Sequence, residues 1–209
     1  MPERVLVIAC GALAREIVAL KRRFGWHHLD MQCIDARLHN RPAVIPERVR
    51  QKIRDNKKHY DRIFVAYADC GTGGLLDQVL ADEQVERLPG AHCYQFLAGA
   101  DRFEALADSA PGTFYLTDFL ARHFDKLVIG PLKLDTHSEL RDAYFGNYTR
   151  LVYLSQTIDA ELKQLAEKAA RRIGLPFEHV HCGYGALQQN LKTWLKESND
   201  GQEDTRLLA

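Results

Sequence analysis

The sequence lacks an excess of charge of either sign. Its 209 residues include 28 Lys and Arg against 28 Asp and Glu, which gives a formal net charge of +0. The basic residues form no stripe, whereas binding a polyanion such as nucleic acid requires clustered positive charge. We therefore expect no nucleic-acid partner.

Long apolar runs are missing as well. No stretch approaches the roughly 20 consecutive apolar residues of a membrane-spanning helix, and the run at residues 5–8 is too short for a signal peptide. We therefore expect a cytoplasmic protein that does not enter a membrane. Disulfides are rare in the cytosol, so the five cysteines are interpreted as free thiols, metal ligands or nucleophiles.

Closely spaced catalytic motifs are also absent. There is no CxxC pair, which would indicate a zinc ribbon, and no GxSxG motif, which would indicate a serine hydrolase. Neither GxGxxG nor a P-loop is present. Any site must therefore be assembled from residues that are far apart in the sequence.

The sequence does contain a regular alternation of strand and helix patterns. Five apolar, β-branched runs predict buried strands, at residues 4–9, 29–34, 62–68, 150–155 and 177–181. Helical spacing of apolar residues lies between them, most clearly at residues 12–24, 46–60 and 159–173. The pattern predicts an α/β fold, with a Rossmann-like, mostly parallel sheet and helices on both faces. We expect one domain over residues 1–197 and a flexible polar tail over residues 198–209.

A Cys-Gly dipeptide closes three of the apparent strands, at Cys10, Cys70 and Cys182. Ligands of open α/β sheets bind outside the carboxyl ends of the strands, so these thiols are placed where a site is expected. The glycine allows a tight turn beside each thiol. The N-terminus of the helix that follows would lower the thiol pKa and favour the thiolate.

Two further cysteines have other contexts. Cys93 follows His92 in a segment, residues 91–96, that predicts a strand or a strand end, and Cys33 lies inside a strand as a small buried hydrophobe. Thiolates select zinc, copper(I) or iron–sulfur clusters, and three of them leave a coordination position open. From the residues alone three interpretations remain, namely buried packing, a metal or cluster site, and a nucleophilic or redox thiol.

The Gly-rich turn at residues 69–74 has two interpretations. The backbone amides of Gly71, Thr72, Gly73 and Gly74 would bind an anion, or the glycines would only allow a tight strand-to-helix turn. Asp69 would act as a base, or it would order its own turn. His92, the neighbour of Cys93, is the other candidate for proton transfer.

Several sequence blocks together resemble a known family. They read IACGALAREI at residues 8–17, YADCGTGG at 67–74, HCY at 92–94, PGTFYLTDFL at 111–120 and YFGNY at 144–148. They resemble a bacterial and archaeal family of unknown function whose members are often encoded beside corrinoid-dependent methyltransferases for methylamines and betaines. The resemblance extends over residues 5–190.

The resemblance implies that Cys10, Cys70 and Cys93 act as a set, and it says less about Cys182. The leading metal prediction adds Cys182 or His92 as a further ligand. The leading prediction is a protein of methylated-amine or corrinoid-linked one-carbon metabolism that holds zinc or an iron–sulfur cluster. It would bind a small anionic or amine ligand at the sheet edge. One alternative is a non-catalytic accessory partner of a corrinoid or methyltransferase protein. The other is a metal-free thiol enzyme that uses Cys10 or Cys70.

Overall fold

A computed structural model describes the backbone of residues 3–206 and the side chains as far as residue 196. The predicted polar tail, residues 198–209, lies outside the described side chains. That tail and the single domain over residues 1–197 therefore stay predictions. None of the described helices combines the length and the apolar character needed to cross a membrane.

The described residues contain seven strands and nine α-helices. The strands are β1 Val5–Cys10, β2 Leu29–Ile34, β3 Arg62–Ala66, β4 Glu86–Arg87, β5 Thr113–Thr117, β6 Arg150–Ser155 and β7 Phe177–His181. The helices are α1 Ala14–Phe24, α2 Ile45–Asn56, α3 Leu75–Glu83, α4 Cys93–Ala98, α5 Ala100–Ser109, α6 Asp118–Arg122, α7 Arg141–Phe145, α8 Ala160–Ile173 and α9 Gly185–Arg206. Short 3₁₀ turns follow β1 and β2, at Gly11–Leu13 and Ala36–Asn40.

The first sheet has the strand order β2-β1-β3-β4, and each of its pairs is parallel. Every residue of β1 is buried, because this strand lies between β2 and β3 and is covered on both faces. Helices α2 and α3 pack together, and α9 comes back to the same sheet through Leu187, Leu191 and Trp194. The α/β class with parallel strands flanked by helices is thus confirmed.

The remaining strands form a second parallel sheet, in the order β5-β6-β7. Helices α6 and α8 pack on one face of it. Phe103 and Leu106 of α5 pack near the opposite face, in a cluster with Val152 and Leu154. The seven strands are therefore divided between two parallel sheets, whereas the sequence pattern indicated a single sheet.

Two local predictions are wrong. The strand expected at residues 91–96 is helical, because Cys93 begins α4 and the His92 side chain caps that helix by accepting from the Tyr94 amide at 3.2 Å. Cys33 is exposed and not a buried hydrophobe. It lies on β2, which is an edge strand, so part of that strand remains in contact with solvent.

A buried carboxylate joins two loops at the carboxyl end of the second sheet. Asp118 is 0% exposed, and its Oδ1 accepts hydrogen bonds from the Tyr153 hydroxyl at 2.7 Å and the Gln156 amide at 3.1 Å. Its Oδ2 accepts from the Thr157 amide at 3.0 Å. A buried carboxylate is tolerated only when it is hydrogen-bonded in this way, so Asp118 fixes the start of α6 against the loop after β6.

We expect Asp118→Ala to lower the free energy of unfolding by about 3 kcal/mol, because it leaves the donors of Tyr153, Gln156 and Thr157 buried without a partner. Urea unfolding followed by circular dichroism measures this loss. The matched control is Asp108→Ala, at an exposed helical aspartate, which should change stability by less than about 0.5 kcal/mol. Equal effects of the two substitutions would contradict the proposed role of Asp118.

Candidate functional site: a thiolate centre at the sheet edge

The candidate site lies where the order of the first sheet reverses. From β1 the chain moves to β2 on one side and then returns to β3 on the other side. Such a reversal opens a crevice at the carboxyl ends of the two central strands, which is the usual ligand site of open α/β sheets. Cys10 ends β1 and Cys70 follows β3, so the two thiols lie on either side of this crevice.

Cys10 is 3% exposed and lies at the back of the crevice. Its Sγ accepts a hydrogen bond from the Ala12 amide at 3.4 Å and lies 3.9 Å from Nδ1 of His39. The same His39 nitrogen lies 3.0 Å from the Ala36 carbonyl oxygen, to which it donates. The 3₁₀ turn after β2 therefore carries His39 into the crevice beside Cys10.

Cys70 has a backbone conformation that is rare for a residue with a side chain. Its φ angle is +49°, and it is followed by Gly71 at +82°. A left-handed non-glycine residue costs on the order of 1–3 kcal/mol and persists only where its surroundings enforce it. Here the Cys70 amide donates to the Ala91 carbonyl oxygen at 3.0 Å, and the Asp69 amide donates to that of Gly90 at 3.2 Å. These two bonds bring the turn after β3 against the loop that precedes α4.

The same backbone bonds bring Cys93 against Cys70. A hydrogen bond from the Cys93 thiol lowers the pKa of Cys70 most, and His39, through its hydrogen bond and its charge, lowers it further. Burial opposes this shift, but the Cys70 pKa still falls well below its ordinary value. The pKa of Cys93 is raised in return by the adjacent Cys70 sulfur and by burial. Cys70 is therefore the thiolate of this pair, and Cys93 is the proton donor.

His39 supplies the positive charge that balances the thiolate. Burial by itself would lower its pKa, but hydrogen bonds and the charges of Cys10 and Cys70 outweigh burial and raise the pKa to about 11. The raised pKa of His39 and the lowered pKa of Cys70 favour an imidazolium beside a thiolate at neutral pH. The ring of Tyr67 stacks on His39 with a centroid distance of 6.1 Å and limits its movement.

A pocket of about 420 Å³ opens onto this centre. Cys70, Cys93, His39 and His92 lie along its wall. The second half of the chain completes the wall with apolar side chains, which are Phe119, Leu120, Leu127 and Val128. The pocket therefore combines a charged sulfur centre with an apolar enclosure, as binding sites for small molecules commonly do.

The Gly-rich turn is ordered by its own aspartate. The Asp69 carboxylate accepts from the Thr72 hydroxyl at 2.6 Å, from the Gly74 amide at 2.9 Å and from the Gly73 amide at 3.2 Å. The Thr72 hydroxyl and the Gly74 amide, more than the others, lower the pKa of Asp69. Two of the amides predicted to bind an anion are thus already used by Asp69. Its carboxylate orders the turn, and the predicted role in proton transfer has no support here.

His92 has a structural role at the start of α4. Its Nδ1 accepts from the Tyr94 amide and lies 3.7 Å from Cys93 Sγ. Burial lowers the pKa of His92, so the ring is neutral near pH 7. It lines the pocket, and its neutral ring contrasts with the charged ring of His39.

The structure does not bring Cys182 to this centre. Cys182 follows β7 of the second sheet, where its Sγ contacts the Val180 carbonyl oxygen at 3.6 Å and where it packs near Ala98 and Phe103. The predicted role of Cys182 as a further ligand was inferred from its Cys-Gly dipeptide, which closes a strand of a different sheet.

The spacing of the sulfur and nitrogen atoms bears on the metal prediction. Among the residues that the structure describes, no group of three or more His, Cys, Asp or Glu side chains is arranged to hold a metal ion. The donor types, thiols and imidazoles, are those that soft metals prefer. In this conformation, however, the Cys10 sulfur contacts His39 and the Cys93 sulfur contacts His92. The donors therefore fit a metal in type but not in arrangement.

His39 is the functional residue that the sequence pattern did not reveal. It lies in the 3₁₀ turn after β2, in a segment without a recognisable motif. Its position beside Cys10 and Cys70 depends on the path of the chain from β2 to α2 across the edge of the sheet. The helix expected to follow Cys70 directly begins only at Leu75, five residues later, so its N-terminus is not next to the thiol. The pKa of Cys70 is lowered by Cys93 and His39 instead.

Comparison with known proteins identifies the family of this chain. Residues 33–191 match the model of the family described as "Protein of unknown function (DUF1638)", and the chain belongs to that family. No curated protein matches the chain. Among solved structures, ornithine carbamoyltransferase from Pyrococcus furiosus aligns with 14% sequence identity and a TM-score of 0.29, covering 86% of this chain. The alignment spans 54% of that enzyme's chain.

The thiolate–imidazolium pair predicts an unusual pH dependence of alkylation at Cys70. An ordinary thiol of pKa about 8.5 is only about 1% ionised at pH 6.5, so its alkylation rate rises steeply toward pH 8.5. Because the pKa of Cys70 is lowered, we expect its rate with iodoacetamide to vary less than about threefold over this range. Peptide mapping by mass spectrometry measures the rate, with the exposed Cys33 as an internal reference that shows the steep rise.

Replacement of His39 by Gln removes the imidazolium and should restore a rise of at least about tenfold in Cys70 alkylation between pH 6.5 and 8.5. His28→Gln, at an exposed histidine, is the matched control and should keep the flat profile. A steep profile for Cys70 in the unaltered protein would overturn the assignment of the thiolate.

Proposed function

We propose that this protein is a thiol-dependent protein in which Cys70 acts as a nucleophile toward a small, largely apolar ligand bound in the crevice pocket. The observation that carries this proposal is the position of Cys70, His39 and Cys93 together on the wall of one pocket. There Cys93 and His39 lower the pKa of Cys70. A nucleophilic cysteine needs a lowered pKa and access to its substrate. The pocket supplies the access, since Cys70 lies on its wall.

The chemical step that this arrangement favours is attack of the Cys70 sulfur on an electrophilic carbon of the ligand. A sulfur–carbon bond forms, and the bond from that carbon to the leaving group breaks with its electron pair going to the leaving group. The His39 imidazolium lies in the same pocket and would give its proton to the leaving group, which leaves neutral imidazole. Cys93 stabilises the thiolate before the attack by donating its hydrogen bond.

The metabolic setting that we propose is methylated-amine or corrinoid-linked one-carbon metabolism. It rests on the family resemblance carried by the cysteine-containing blocks and by the PGTFYLTDFL block, residues 111–120. Within that setting the protein would act as an enzyme on a small ligand or as an accessory partner of a corrinoid methyltransferase. Turnover of a ligand supports the first role, and stoichiometric binding without turnover supports the second.

A zinc or iron–sulfur centre on Cys10, Cys70 and Cys93 is the second candidate function. The observation that favours it is the position of Cys10 and Cys70 beside His39, with Cys93 beside Cys70. These three cysteines come from three separate segments and give a set of soft donors. Metal binding would require the side chains to exchange their mutual hydrogen bonds for bonds to the metal. His39 and His92 are the nearby nitrogen donors, at 3.9 Å from Cys10 Sγ and 3.7 Å from Cys93 Sγ.

One experiment separates the two functions. The protein is purified without oxygen, its zinc, iron and sulfide contents are measured, and it is then treated with iodoacetamide at pH 6.5. The thiol function predicts less than about 0.1 metal per chain and rapid labelling that depends on Cys70. The metal function predicts about one zinc or one cluster per chain and labelling only after chelation.

Four single variants sharpen this test. Under the metal function, Cys10→Ser, Cys70→Ser and Cys93→Ser should each lose the metal, while Cys182→Ser should retain it because Cys182 lies on the second sheet. Under the thiol function, Cys70→Ser abolishes rapid labelling and Cys93→Ser slows it, because Cys93 is the main cause of the lowered Cys70 pKa. Cys182→Ser leaves the labelling unchanged. A metal-free protein whose Cys70 labels no faster than Cys33 would contradict both functions.

A further inference from the structure

A second cavity, of about 390 Å³, lies beside the carboxyl end of the second sheet. We call it the Glu16 pocket, after the carboxyl group on its wall. Helix α1, the start of α6 and the loop after β6 enclose it, with Tyr184 closing one side. This edge of a parallel sheet is again where ligands of α/β proteins bind.

Glu16 is an exceptional side chain because one of its two carboxyl oxygens is buried without a partner. It is 5% exposed, and its Oε2 has no hydrogen-bond partner among the described residues. Burial, more than any other cause, raises the pKa of Glu16 to about 7. Asp118, on the same wall, is just as buried, but both of its oxygens are hydrogen-bonded to protein donors. Native proteins leave very few buried polar groups unsatisfied, so Glu16 needs an explanation.

Positive charge surrounds this carboxyl group. Arg15, Arg22 and Arg122 line the pocket, and none of them forms an ion pair with a carboxylate within the described part of the chain. Arg122 is half-buried, and its Nη1 lies 3.4 Å from the Asp118 carbonyl oxygen, which positions the guanidinium. Guanidinium groups with free donors are well suited to bind a carboxylate in bidentate geometry.

We propose that the Glu16 pocket is a second ligand site, which binds a small zwitterion of the amino-acid class. Glu16 lines the pocket, and a rotation of its side chain exposes the unpartnered Oε2 to the ligand ammonium group, which donates to it. The ligand carboxylate binds Arg122 with the help of Arg15. The volume of about 390 Å³ is in the range of small-molecule sites.

The site is distinct from the thiolate centre, although the two are neighbours. Residues of the same two segments line both cavities, since Leu13 and Phe119 face the thiolate pocket while Glu16 and Asp118 line this one. The proposal does not depend on the reactivity of Cys70.

Isothermal titration calorimetry at pH 8 tests the proposal, with glycine and L-alanine as zwitterionic probes. Acetate represents the carboxylate half of the zwitterion, and methylammonium represents its ammonium half. We expect at least one zwitterion to bind at least tenfold more tightly than either half. Glu16→Gln should weaken binding of the zwitterion at least tenfold, and Arg122→Gln should do the same. Cys70→Ser should leave this binding unchanged, which separates failure here from failure of the thiol function.

Absence of binding by both zwitterions up to 20 mM would overturn the proposal. Binding that is unchanged in Glu16→Gln would overturn it as well, provided that circular dichroism shows the variant to be folded. If acetate binds as tightly as the zwitterions, the site binds simple anions. That result would contradict the role of Glu16.

Thermal unfolding gives a second readout for Glu16→Gln. The pKa of Glu16 is raised on folding, so ionisation destabilises the fold increasingly as pH rises from about 4.5 through 7. The variant should therefore melt at least about 3 °C above the unaltered protein at pH 8 and show no gain at pH 4.5. The groups that face Glu16 are Asp118, Arg122, Arg15 and Tyr184. If Glu16→Gln is no more stable than the unaltered protein at pH 8, Glu16 already has a hydrogen-bond partner in the fold. That result would contradict the proposal that the ligand ammonium group is its partner.

Discussion

The reversal of strand order at β1 is the constraint on which the thiolate centre depends. Parallel pairing aligns the carboxyl ends of β1, β2 and β3 at one edge, so the turns that follow them meet there. Because the crossovers leave β1 in opposite directions, a crevice opens between Cys10 and Cys70. His39 enters this crevice from the turn after β2, and Cys93 enters it from the start of α4.

The charge placed in this crevice is balanced locally. A sulfur anion removed from water is costly unless a cation or a hydrogen-bond donor replaces the lost solvation. His39 provides the cation and Cys93 provides the donor. The strained turn at Cys70 and the backbone bonds from residues 69 and 70 to residues 90 and 91 hold these groups together. The backbone bonds between these two loops thus account both for the strained conformation of Cys70 and for its lowered pKa.

The cost of burying a charged group also explains the two carboxyl groups at the edge of the second sheet. Asp118 and Glu16 are both buried carboxyl groups at its edge, yet only Asp118 is surrounded by protein donors. Asp118 therefore stabilises the fold. Glu16 weakens it when ionised, which is the kind of local cost that proteins retain at binding sites. Two neighbouring cavities, one with a sulfur nucleophile and one with an unsatisfied carboxyl oxygen, thus share the segments at residues 13–16 and 118–119 in their walls.

The sequence by itself determined the α/β class, the bounds of three strands and two strand-end cysteines, because these follow from local periodicity and from glycine turns. Strands β2, β6 and β7 lie at the predicted residues, and Cys10 and Cys70 lie at the predicted sheet edge. Only the tertiary structure decided that the strands form two sheets, which separates Cys182 from the centre although its dipeptide is the same. It also decided that His39 lies beside Cys70 and that the amides of the Gly-rich turn donate to Asp69. Such contacts depend on the packing of loops and turns, which leaves no periodic signal in the sequence.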